Sequence, residues 1–460
     1  MRDELQNEFV LQEQIGSGGQ GEVWSLQGGR AAAKFLTSAD PPARDGLRAR
    51  LRRIARTDLH GIPLATPQAL IDGPPGYIME LLEDMVSLGS LFKFPRTGDN
   101  LAWYRDTGGL RRRLVVLANV ADALHRLHSR AMAYCDLSPA NVLVPRSATY
   151  DHIWLIDPDN LSAESDRSTH ALHTHGFGAP EVVRGEQAND TLSDLFSLAV
   201  VVFRVLVNNH PFDGDAVRYD SALANKAYAG GMPWIDHPTD DRNRLSKGMR
   251  RGLVLTGALQ RLAGRAFEAG LNDPTKRPTA AEWRDQLLRA ADFTYTCPGC
   301  GTTAYAVHAT CSWCPEGRPR PPLMFAHMMA HLPHRAAGPD PVAGLVARSH
   351  IVVLTRGKPF AVDARRALPV LDRGSAVSRV SPGEPVAELV WHGDGDIEVR
   401  RTGHHPVLLV DQEHSRSITL KRSERRQLPH SPSGTWDLHF GHPDELHTVF
   451  RVSRNPREVR

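Results

Sequence analysis

A glycine-rich turn near the N-terminus has the spacing of a phosphate-binding loop. Residues 16–23 read GSGGQGEV and fit the pattern G-x-G-x-x-G-x-V, with Gly16, Gly18 and Gly21 as its glycines. Between two strands, such a turn lets backbone amides approach a triphosphate, because no side chains block the approach. By itself the pattern is equally typical of a glycine-rich hairpin without a ligand, so its meaning depends on the residues that follow.

Four polar residues follow in an order that suits phosphoryl transfer. Lys34 ends the segment RAAAKFL, where a strand would direct its ammonium toward the α- and β-phosphates. Asp136 and Asn141 are separated by four residues, and Asp157 ends the apolar segment WLI. Together these side chains would supply a base and two magnesium ligands.

Four cysteines late in the chain form a second candidate site. Cys297, Cys300, Cys311 and Cys314 give the spacing C-x2-C-x10-C-x2-C, which predicts a zinc ribbon with four thiolates around Zn²⁺. His308 is an alternative ligand. No position remains for water, so we expect a structural metal. The intervening GTTAYAVHAT contains no Lys or Arg, which disfavours nucleic acid as a partner.

The N-terminal elements needed to position the first site are short strands and one basic helix. FVLQEQI, EVWSLQ and RAAAKFL read as three strands joined by glycine-rich turns, and residues 43–56 place apolar residues at helical spacing. Further strands are predicted at 68–71 and 77–82, and helices at 110–130, 192–207 and 280–291. The pattern predicts a small mixed lobe followed by a helical lobe.

The C-terminal part has a different pattern. From Ile351 onward, the short alternating segments IVVL, AELVW, DIEVRR, PVLLV, SITL and TVFRV predict an all-β sandwich or barrel. We therefore expect a multidomain α+β protein with a two-lobed domain at 8–291, a zinc ribbon at 294–318 and a β-rich domain at 323–460, joined by a proline-rich linker at 315–322.

Composition restricts the class of protein. Hydrophobic residues make up 41% and charged residues 23% of the 460 residues, as in a soluble globular protein. The net charge of +3 predicts no overall field for nucleic acid. Residues 1–10 do not resemble a secretory leader, and the longest apolar stretch, 195–207, is shorter than the roughly 20 residues of a membrane span. We expect a cytoplasmic protein without a membrane partner.

In this order and at these intervals, the motifs resemble a bacterial-type serine/threonine protein kinase over residues 8 to about 291. The resemblance implies a bilobal fold, ATP with Mg²⁺, and phosphorylation of Ser or Thr in protein substrates. It implies that Val23, Ala32 and Leu143 enclose adenine and that the hinge from Glu80 to Leu82 reads its edge.

The resemblance also assigns the catalytic and structural residues. Asp136 would orient or deprotonate the substrate hydroxyl, and Asn141 with Asp157 would hold Mg²⁺. Structural positions match at Glu181 in GAPE, its ion-pair partner Arg277, the helix acid Asp194 that braces the catalytic loop, and Thr174, which would support Asp136.

Several positions depart from the kinase pattern. Helix 43–56 contains no glutamate to pair with Lys34, only Asp45. Cys135 replaces the arginine before the catalytic aspartate, and Ser138 replaces a phosphate-binding lysine. Asp157-Pro158-Asp159 replaces Asp-Phe-Gly. These changes leave a second hypothesis, an ATP-binding pseudokinase that acts as a scaffold.

Two weaker resemblances complete the sequence interpretation. The C-terminal strands resemble a degenerate forkhead-associated domain, with phosphate contacts expected near Arg373 and Ser378, although a non-binding sandwich is the alternative. DLSPANVLV and LIDPDN followed by a cysteine ribbon resemble bacterial kinases of tellurite-resistance-type gene clusters. That resemblance implies a von Willebrand factor A protein and a PP2C-type phosphatase as partners.

Overall fold

The protein divides into two compact units, residues 1–288 and 289–460. The structure, a computed structural model, describes residues 1–18, 21–37, 41–95, 97–163, 172–314, 317–333, 345–363, 385–393, 396–412, 414, 416–428, 435–442 and 444–453. Arg373 and Ser378 lie outside the described residues.

A five-stranded antiparallel sheet opens the first unit. Its strands are β1 (Leu11–Gly18), β2 (Gly21–Leu26), β3 (Ala31–Leu36), β4 (Ala69–Leu70) and β5 (Gly76–Glu80), in the order β1-β2-β3-β5-β4. Val23 of β2 lies opposite Lys34, and Lys34 lies opposite Tyr77 of β5. The three predicted N-terminal strands are confirmed, and the pairing places Lys34 in the middle of the sheet.

Helix α1 (Pro41–Arg56) packs beside this sheet, as its apolar spacing predicts. Leu51 is buried in one cluster with Leu36 and Tyr77, whereas many of the arginines are exposed. Asp45, the single acid of the helix, is exposed as well. The helix therefore contributes apolar packing rather than a buried carboxylate.

The rest of the first unit is largely helical, as expected. Two long helices, α3 and α5, are buried along much of their length and form its centre. The α-helices after α1 are α2 (Asn100–Asp106), α3 (Gly109–His128), α4 (Pro180–Val183), α5 (Thr191–Val207), α6 (Ser221–Tyr228), α7 (Gly257–Phe267), α8 (Ala269–Asn272) and α9 (Ala280–Asp292). Single 3-10 turns lie at Leu88–Leu91, Pro158–Asn160, Arg251–Leu253 and Pro274–Lys276.

Short strands between the helices hold the loops that carry the polar motifs. They are β6 (Met85–Ser87), β7 (Met132–Ala133), β8 (Val142–Pro145), β9 (Trp154–Leu155) and β10 (Ser162–Ala163). Strand β8 pairs with β6 and β9, so Asn141 and Asp157 flank neighbouring strands. Strand β7 pairs with β10. The loop 134–141, which carries Asp136 and Asn141, is therefore anchored by paired strands at both ends.

The second unit begins with a hairpin of β11 (Thr294–Thr296) and β12 (Thr303–Tyr305). Its buried residues Tyr295, Cys297 and Cys311 share an apolar cluster with Phe325 and Val353 of the following sheet. The cysteine segment therefore has a small core that is continuous with the C-terminal strands.

Two antiparallel sheets make up the remainder of this unit and share one apolar core. One has the order β14-β13-β22-β21-β18-β19 and the other β15-β16-β17-β20. The strands are β13 (Leu323–His331), β14 (Leu345–Thr355), β15 (Pro359–Asp363), β16 (Pro385–Gly393), β17 (Asp396–Arg401), β18 (Val407–Asp411), β19 (Arg416–Leu420), β20 (Arg425–Leu428), β21 (Trp436–His439) and β22 (His447–Ser453). The β-rich C-terminal region is confirmed.

Among the helices in the described residues, none combines the length and the apolar character that crossing a bilayer requires.

Candidate active site

The glycine hairpin is formed by the facing ends of β1 and β2. At Gly21, φ is +150° and an added Cβ would lie 2.0 Å from the Phe35 carbonyl oxygen, so close strand packing demands glycine there. An added Cβ at Gly16 would make only ordinary contact with Val23, and one at Gly18 would meet nothing within 4 Å. Packing does not explain these two glycines. The open space beside them suits the close approach of a phosphate group.

Lys34 lies at the centre of a buried ion cluster. Its side chain is 4% exposed, and Nζ lies 2.9 Å from an oxygen of Asp157 and 2.9 Å from an oxygen of Asp159. A buried ammonium requires such partners because desolvation of an unpaired charge is costly. The structure thus joins Lys34 and Asp157, which are 123 positions apart, as the motif order predicts.

Asp159 is the functional residue that sequence reasoning missed. Its carboxylate is buried and also accepts a hydrogen bond from the Tyr77 hydroxyl at 2.9 Å. Burial, and then the neighbouring Asp159 carboxylate, raises the pKa of Tyr77 well above its usual value, so the phenol remains a donor. The available signal was an acid where the Asp-Phe-Gly triplet has glycine. Asp159 supplies the carboxylate that α1 lacks.

Asp157 has an unusual backbone that results from its place before the 3-10 turn. It adopts the left-handed conformation, with φ 58° and ψ 54°, although residues before proline favour extended backbone. Burial raises the pKa of the Asp157 carboxyl, and the Lys34 ammonium opposes this shift. The strained turn brings Asp157 and Asp159 to the same ammonium.

Asp136 is held on both of its carboxylate oxygens. Thr174 donates to Oδ1 from its backbone amide at 2.7 Å and from its hydroxyl at 2.8 Å. Asn141 donates from Nδ2 to Oδ2 at 2.9 Å and also to the Asp136 backbone oxygen at 2.9 Å. The loop that carries Asp136 and the segment after residue 171 are therefore joined at this carboxylate, through the contact expected of Thr174.

Asp194 braces the same loop from helix α5. Its Oδ2 accepts from the Tyr134 amide at 2.6 Å and its Oδ1 from the Cys135 amide at 2.9 Å. A His128 ring nitrogen lies 3.0 Å from Oδ2. Cys135 has φ 73°, so these bonds hold a backbone that a side-chain-bearing residue rarely adopts.

A buried ion pair joins Glu181 of α4 to Arg277, which lies between the 3-10 turn Pro274–Lys276 and α9. Both terminal nitrogens of Arg277 lie 2.7 Å from the two oxygens of Glu181, and Nε donates to the Gly270 carbonyl. The Arg277 side chain has no exposed area. This bidentate geometry matches the expected pairing.

Of the residues expected around adenine, Val23 and Ala32 lie on the neighbouring strands β2 and β3, and Leu143 lies on β8 of a separate sheet. Ala32 is 1% exposed and pairs across β3 and β5 with Met79, while Val23 and Leu143 are half-buried. After Glu80, the amide of Leu81 donates to the Arg30 carbonyl, and the chain continues through Leu82. These positions form the connection at the end of the sheet that a hinge requires.

Two departures from the kinase pattern have structural consequences. Burial, followed by the Asp194 carboxylate, raises the pKa of the Cys135 thiol, which keeps it neutral. Ser138 is fully buried, and within the described part of the chain its hydroxyl has no hydrogen-bond partner. Neither residue provides the positive charge that its kinase counterpart provides.

The four cysteines converge as their spacing predicts. Cys297 Sγ lies 3.7 Å from Cys314 Sγ, and Cys300 Sγ lies 3.7 Å from Cys311 Sγ. Four sulfurs at the Zn–S distance of about 2.3 Å from one tetrahedral ion are separated by about 3.8 Å. The sulfur positions therefore fit a tetrahedral metal. His308 is not part of this group.

Comparison with known proteins agrees with the geometry of the first unit. Residues 78–286 match the family model described as "Protein kinase domain". The chain is 29% identical to serine/threonine-protein kinase pkn2 of Myxococcus xanthus over 65% of this chain and 35% of that protein. It is 29% identical to the DNA damage-responsive serine/threonine-protein kinase RqkA of Deinococcus radiodurans, over 46% of this chain and 31% of the relative.

A third relative gives the same result. Serine/threonine-protein kinase PknA of Mycobacterium tuberculosis is 28% identical over 46% of this chain and 49% of its own length. The chain thus spans 31–49% of the length of these curated relatives. Its first unit is similar to the kinase domains of bacterial serine/threonine kinases, and a β-rich region follows it.

Proposed function

We propose that the protein is an ATP-dependent serine/threonine protein kinase of a bacterial signalling or stress-response system. The observation that carries this proposal is the convergence of Lys34 with Asp157, beside a loop in which Asp136 is held by Thr174 and Asn141. These are the groups that phosphoryl transfer requires for positioning and charge stabilisation. The glycine hairpin adds open space for phosphate.

In the proposed reaction, Asp136 orients the substrate hydroxyl and accepts its proton. The hydroxyl oxygen forms a bond to the γ-phosphorus of ATP, while the bond from that phosphorus to the β,γ-bridging oxygen breaks and ADP leaves. Thr174 and Asn141 fix the Asp136 carboxylate, so that little reorganisation is needed when the proton moves. Asp136 is the residue whose loss tests the proposal.

Asn141 and Asp157 would hold Mg²⁺, which offsets the negative charge that develops on the transferring group. Their oxygen donors suit this hard cation. Lys34 would hold the α- and β-phosphates, and Val23, Ala32 and Leu143 would enclose adenine against the hinge at Glu80 and Leu82. Glu181, Arg277 and Asp194 would maintain the loops.

We further propose that Asp159 positions Lys34. In the described structure, α1 presents no carboxylate to this lysine, whereas Asp159 contacts it at 2.9 Å and is itself fixed by Tyr77. When Asp157 binds a metal, Asp159 would remain as the partner of Lys34. The arrangement replaces a helix-borne acid with one from the metal-binding loop itself.

The test is transfer of the γ-phosphate of labelled ATP to a generic protein in the presence of Mg²⁺. The native full chain and Asp136→Asn are compared at equal concentration. We expect label on the protein with the native chain and a loss of at least 100-fold in the variant, because the base and orienting group are removed. Equal background signal from both proteins would favour the pseudokinase scaffold. The replacement of an arginine by Cys135 and of a lysine by Ser138 favours the scaffold as well.

The cysteine group is proposed to hold a structural zinc ion. All four ligand positions would be filled by thiolates, so the ion would stabilise the fold of the hairpin rather than take part in catalysis. We expect removal of zinc by a chelator to lower the melting temperature of the second unit. An unchanged melting temperature after complete zinc removal would contradict this role.

The proposed partners come from the subfamily resemblance. We infer that the kinase works in the cytoplasm, where thiols stay reduced, with a von Willebrand factor A protein and a PP2C-type phosphatase. Purification of the native chain from its own cells, followed by mass spectrometry of stably bound proteins, tests this. Recovery of the solitary chain at cellular concentrations would argue against such a complex.

A further inference from the structure

A second group of potential metal ligands lies in the C-terminal sheet, at the ends of three adjacent strands. His331 ends β13, His447 begins β22 and His439 ends β21. His331 lies opposite His447 in the strand register. One ring nitrogen from each of the three histidines lies within 4.8 Å of the others. Strand pairing therefore brings together residues that are more than 100 positions apart.

The three rings are in close contact and excluded from water. His331 and His439 are each 2% exposed, and His447 is 1% exposed. The ring centroids of His331 and His447 are 4.6 Å apart, and those of His439 and His447 are 5.1 Å apart. Three imidazoles in one dry site would repel each other if charged, so the neutral form, which binds metals, is favoured.

The backbone fixes the orientation of His447. Its Nδ1 lies 2.8 Å from the Glu445 carbonyl oxygen, which can only accept, so Nδ1 carries the proton and Nε2 presents a lone pair. A ligating histidine whose other nitrogen donates to a carbonyl is the usual arrangement in metal sites. A Cβ at Gly441 would lie 2.4 Å from His447 Cβ, so glycine at 441 makes room for this ring.

His439 is left with a buried nitrogen that no tautomer satisfies. Its Nδ1 lies 2.9 Å from the Nε2 lone pair of His447, and within the described residues its buried Nε2 has no hydrogen-bond partner. If the His439 proton is on Nδ1, the lone pair of His439 Nε2 has no donor. If the proton is on Nε2, this N–H has no acceptor, and the lone pairs of His439 Nδ1 and His447 Nε2 face each other. A cation held between His439 Nδ1 and His447 Nε2 would accept both facing lone pairs and remove their repulsion.

The chemistry of the donors selects the class of cation. Within the described residues, this ligand group contains three imidazoles and neither a carboxylate nor a thiol. Imidazole suits zinc and related divalent transition metals, whereas Mg²⁺ and Ca²⁺ require oxygen ligands. Three ligands leave a fourth tetrahedral position for water or an external group, in contrast to the closed set of four cysteines.

We propose that His331, His439 and His447 bind a divalent transition metal, zinc in the first instance, at a site distinct from the cysteine group. The ion would join the ends of β13, β21 and β22. The full chain would then carry two zinc ions, one bound by sulfur and one by nitrogen. This proposal does not depend on the kinase activity.

The primary test is the metal content of the purified full chain, measured by plasma mass spectrometry after growth with zinc. We expect about two zinc ions per chain for the native protein, and about one for His447→Gln or for the double variant Cys297→Ser with Cys300→Ser. The matched control is His414→Gln, which alters an exposed histidine of the same unit and should leave two. A native chain with one zinc, which the cysteine variant loses, would overturn the proposal.

The cysteine site reports whether the histidine variant has folded, because its core shares Phe325 with β13. Retention of one zinc in His447→Gln shows an intact second unit. If His447→Gln loses both zinc ions, X-ray absorption spectroscopy at the zinc edge of the native chain decides. Zinc ligated by both sulfur and imidazole supports the second site, and zinc ligated by sulfur alone overturns it.

Discussion

The ammonium of Lys34 lies 2.9 Å from a carboxylate oxygen of Asp159, a residue two positions beyond the proposed metal ligand Asp157. The pair is buried, and Tyr77 holds the carboxylate from the other side. One short turn therefore provides both a metal-binding acid and a counter-ion for the lysine. This relationship explains how the protein can stabilise a buried lysine although the one acid of α1, Asp45, is exposed.

The role of Asp159 is tested by Asp159→Asn in the full chain. We expect kcat/KM for ATP to fall about tenfold or more, because hydrogen bonds to charged groups contribute about 1.5–3 kcal/mol. Lys34 would then have Asp157 as its remaining acidic partner and compete with the metal for it. Initial rates at several ATP and Mg²⁺ concentrations measure the effect.

Asp72→Asn serves as the control for this substitution, because Asp72 is an exposed aspartate of the same lobe. It should leave kcat/KM for ATP unchanged. If Asp159→Asn is as active as the native chain across all Mg²⁺ concentrations, Asp159 does not position Lys34.

Thr174→Val tests the support of Asp136. The substitution removes the hydroxyl donor to Oδ1 but keeps the amide donor, so we expect kcat to fall about tenfold with little change in KM for ATP. Thr174→Ser keeps the hydroxyl and should restore most of kcat. Equal kcat values for Val and Ser variants would show that the hydroxyl bond is not used in the reaction.

Arg277→Met tests the buried ion pair with Glu181. Removal of one partner leaves a buried carboxylate without its bidentate donor, which costs about 3–5 kcal/mol. We expect the first unit to unfold at a lower urea concentration, measured by circular dichroism. The exposed ion pair of Arg242 with Asp240 offers a control, since Arg242→Met should leave the urea midpoint almost unchanged. Similar effects of both substitutions would contradict the assignment.

His210 predicts an acid-dependent loss of stability. Burial lowers the pKa of His210 from 6.5 to about 4 in the folded state, because its ring is enclosed while it accepts from Phe212 and contacts the Gly176 carbonyl. The unfolded chain therefore binds the proton more readily. Stability from this group is complete above pH 6.5 and falls as the pH is lowered toward 4.

Urea unfolding at pH 7.5 and 5.5 measures this dependence. The native chain should lose roughly 1 kcal/mol more than His210→Gln between these two pH values, because the lower one lies about one unit below the unfolded pKa. An equal loss in both proteins would show that His210 is not the group responsible.

The grouping of Asp136, Asn141 and Asp157 was predictable because these residues lie on neighbouring segments of the chain. Asp136 and Asn141 lie five residues apart on one anchored loop, and Asp157 follows the next strand, so their order alone indicated a metal and a base. The cysteine group was predictable for the same reason. Each pair of cysteines is separated by two residues, and the geometry of such Cys-x2-Cys turns varies little.

The partner of Lys34 could not be predicted because it depends on one strained turn. Extended backbone at Asp157, the usual state before proline, would direct Asp159 elsewhere. The three histidines were missed for a different reason. His331 lies on β13, whose LMFAHMMAH sequence lacks the β-branched residues typical of strands, and the convergence of the rings depends on strand register over more than 100 residues.

The most direct test of the kinase proposal is a single-turnover reaction with excess full-length protein, γ-labelled ATP, Mg²⁺ and a library of serine- and threonine-containing peptides. Phosphoamino acid analysis then locates the label. We predict phosphoserine or phosphothreonine with the native chain and neither with Asp136→Asn. Native protein that leaves all label in ATP, or releases it only as inorganic phosphate, would contradict the proposal.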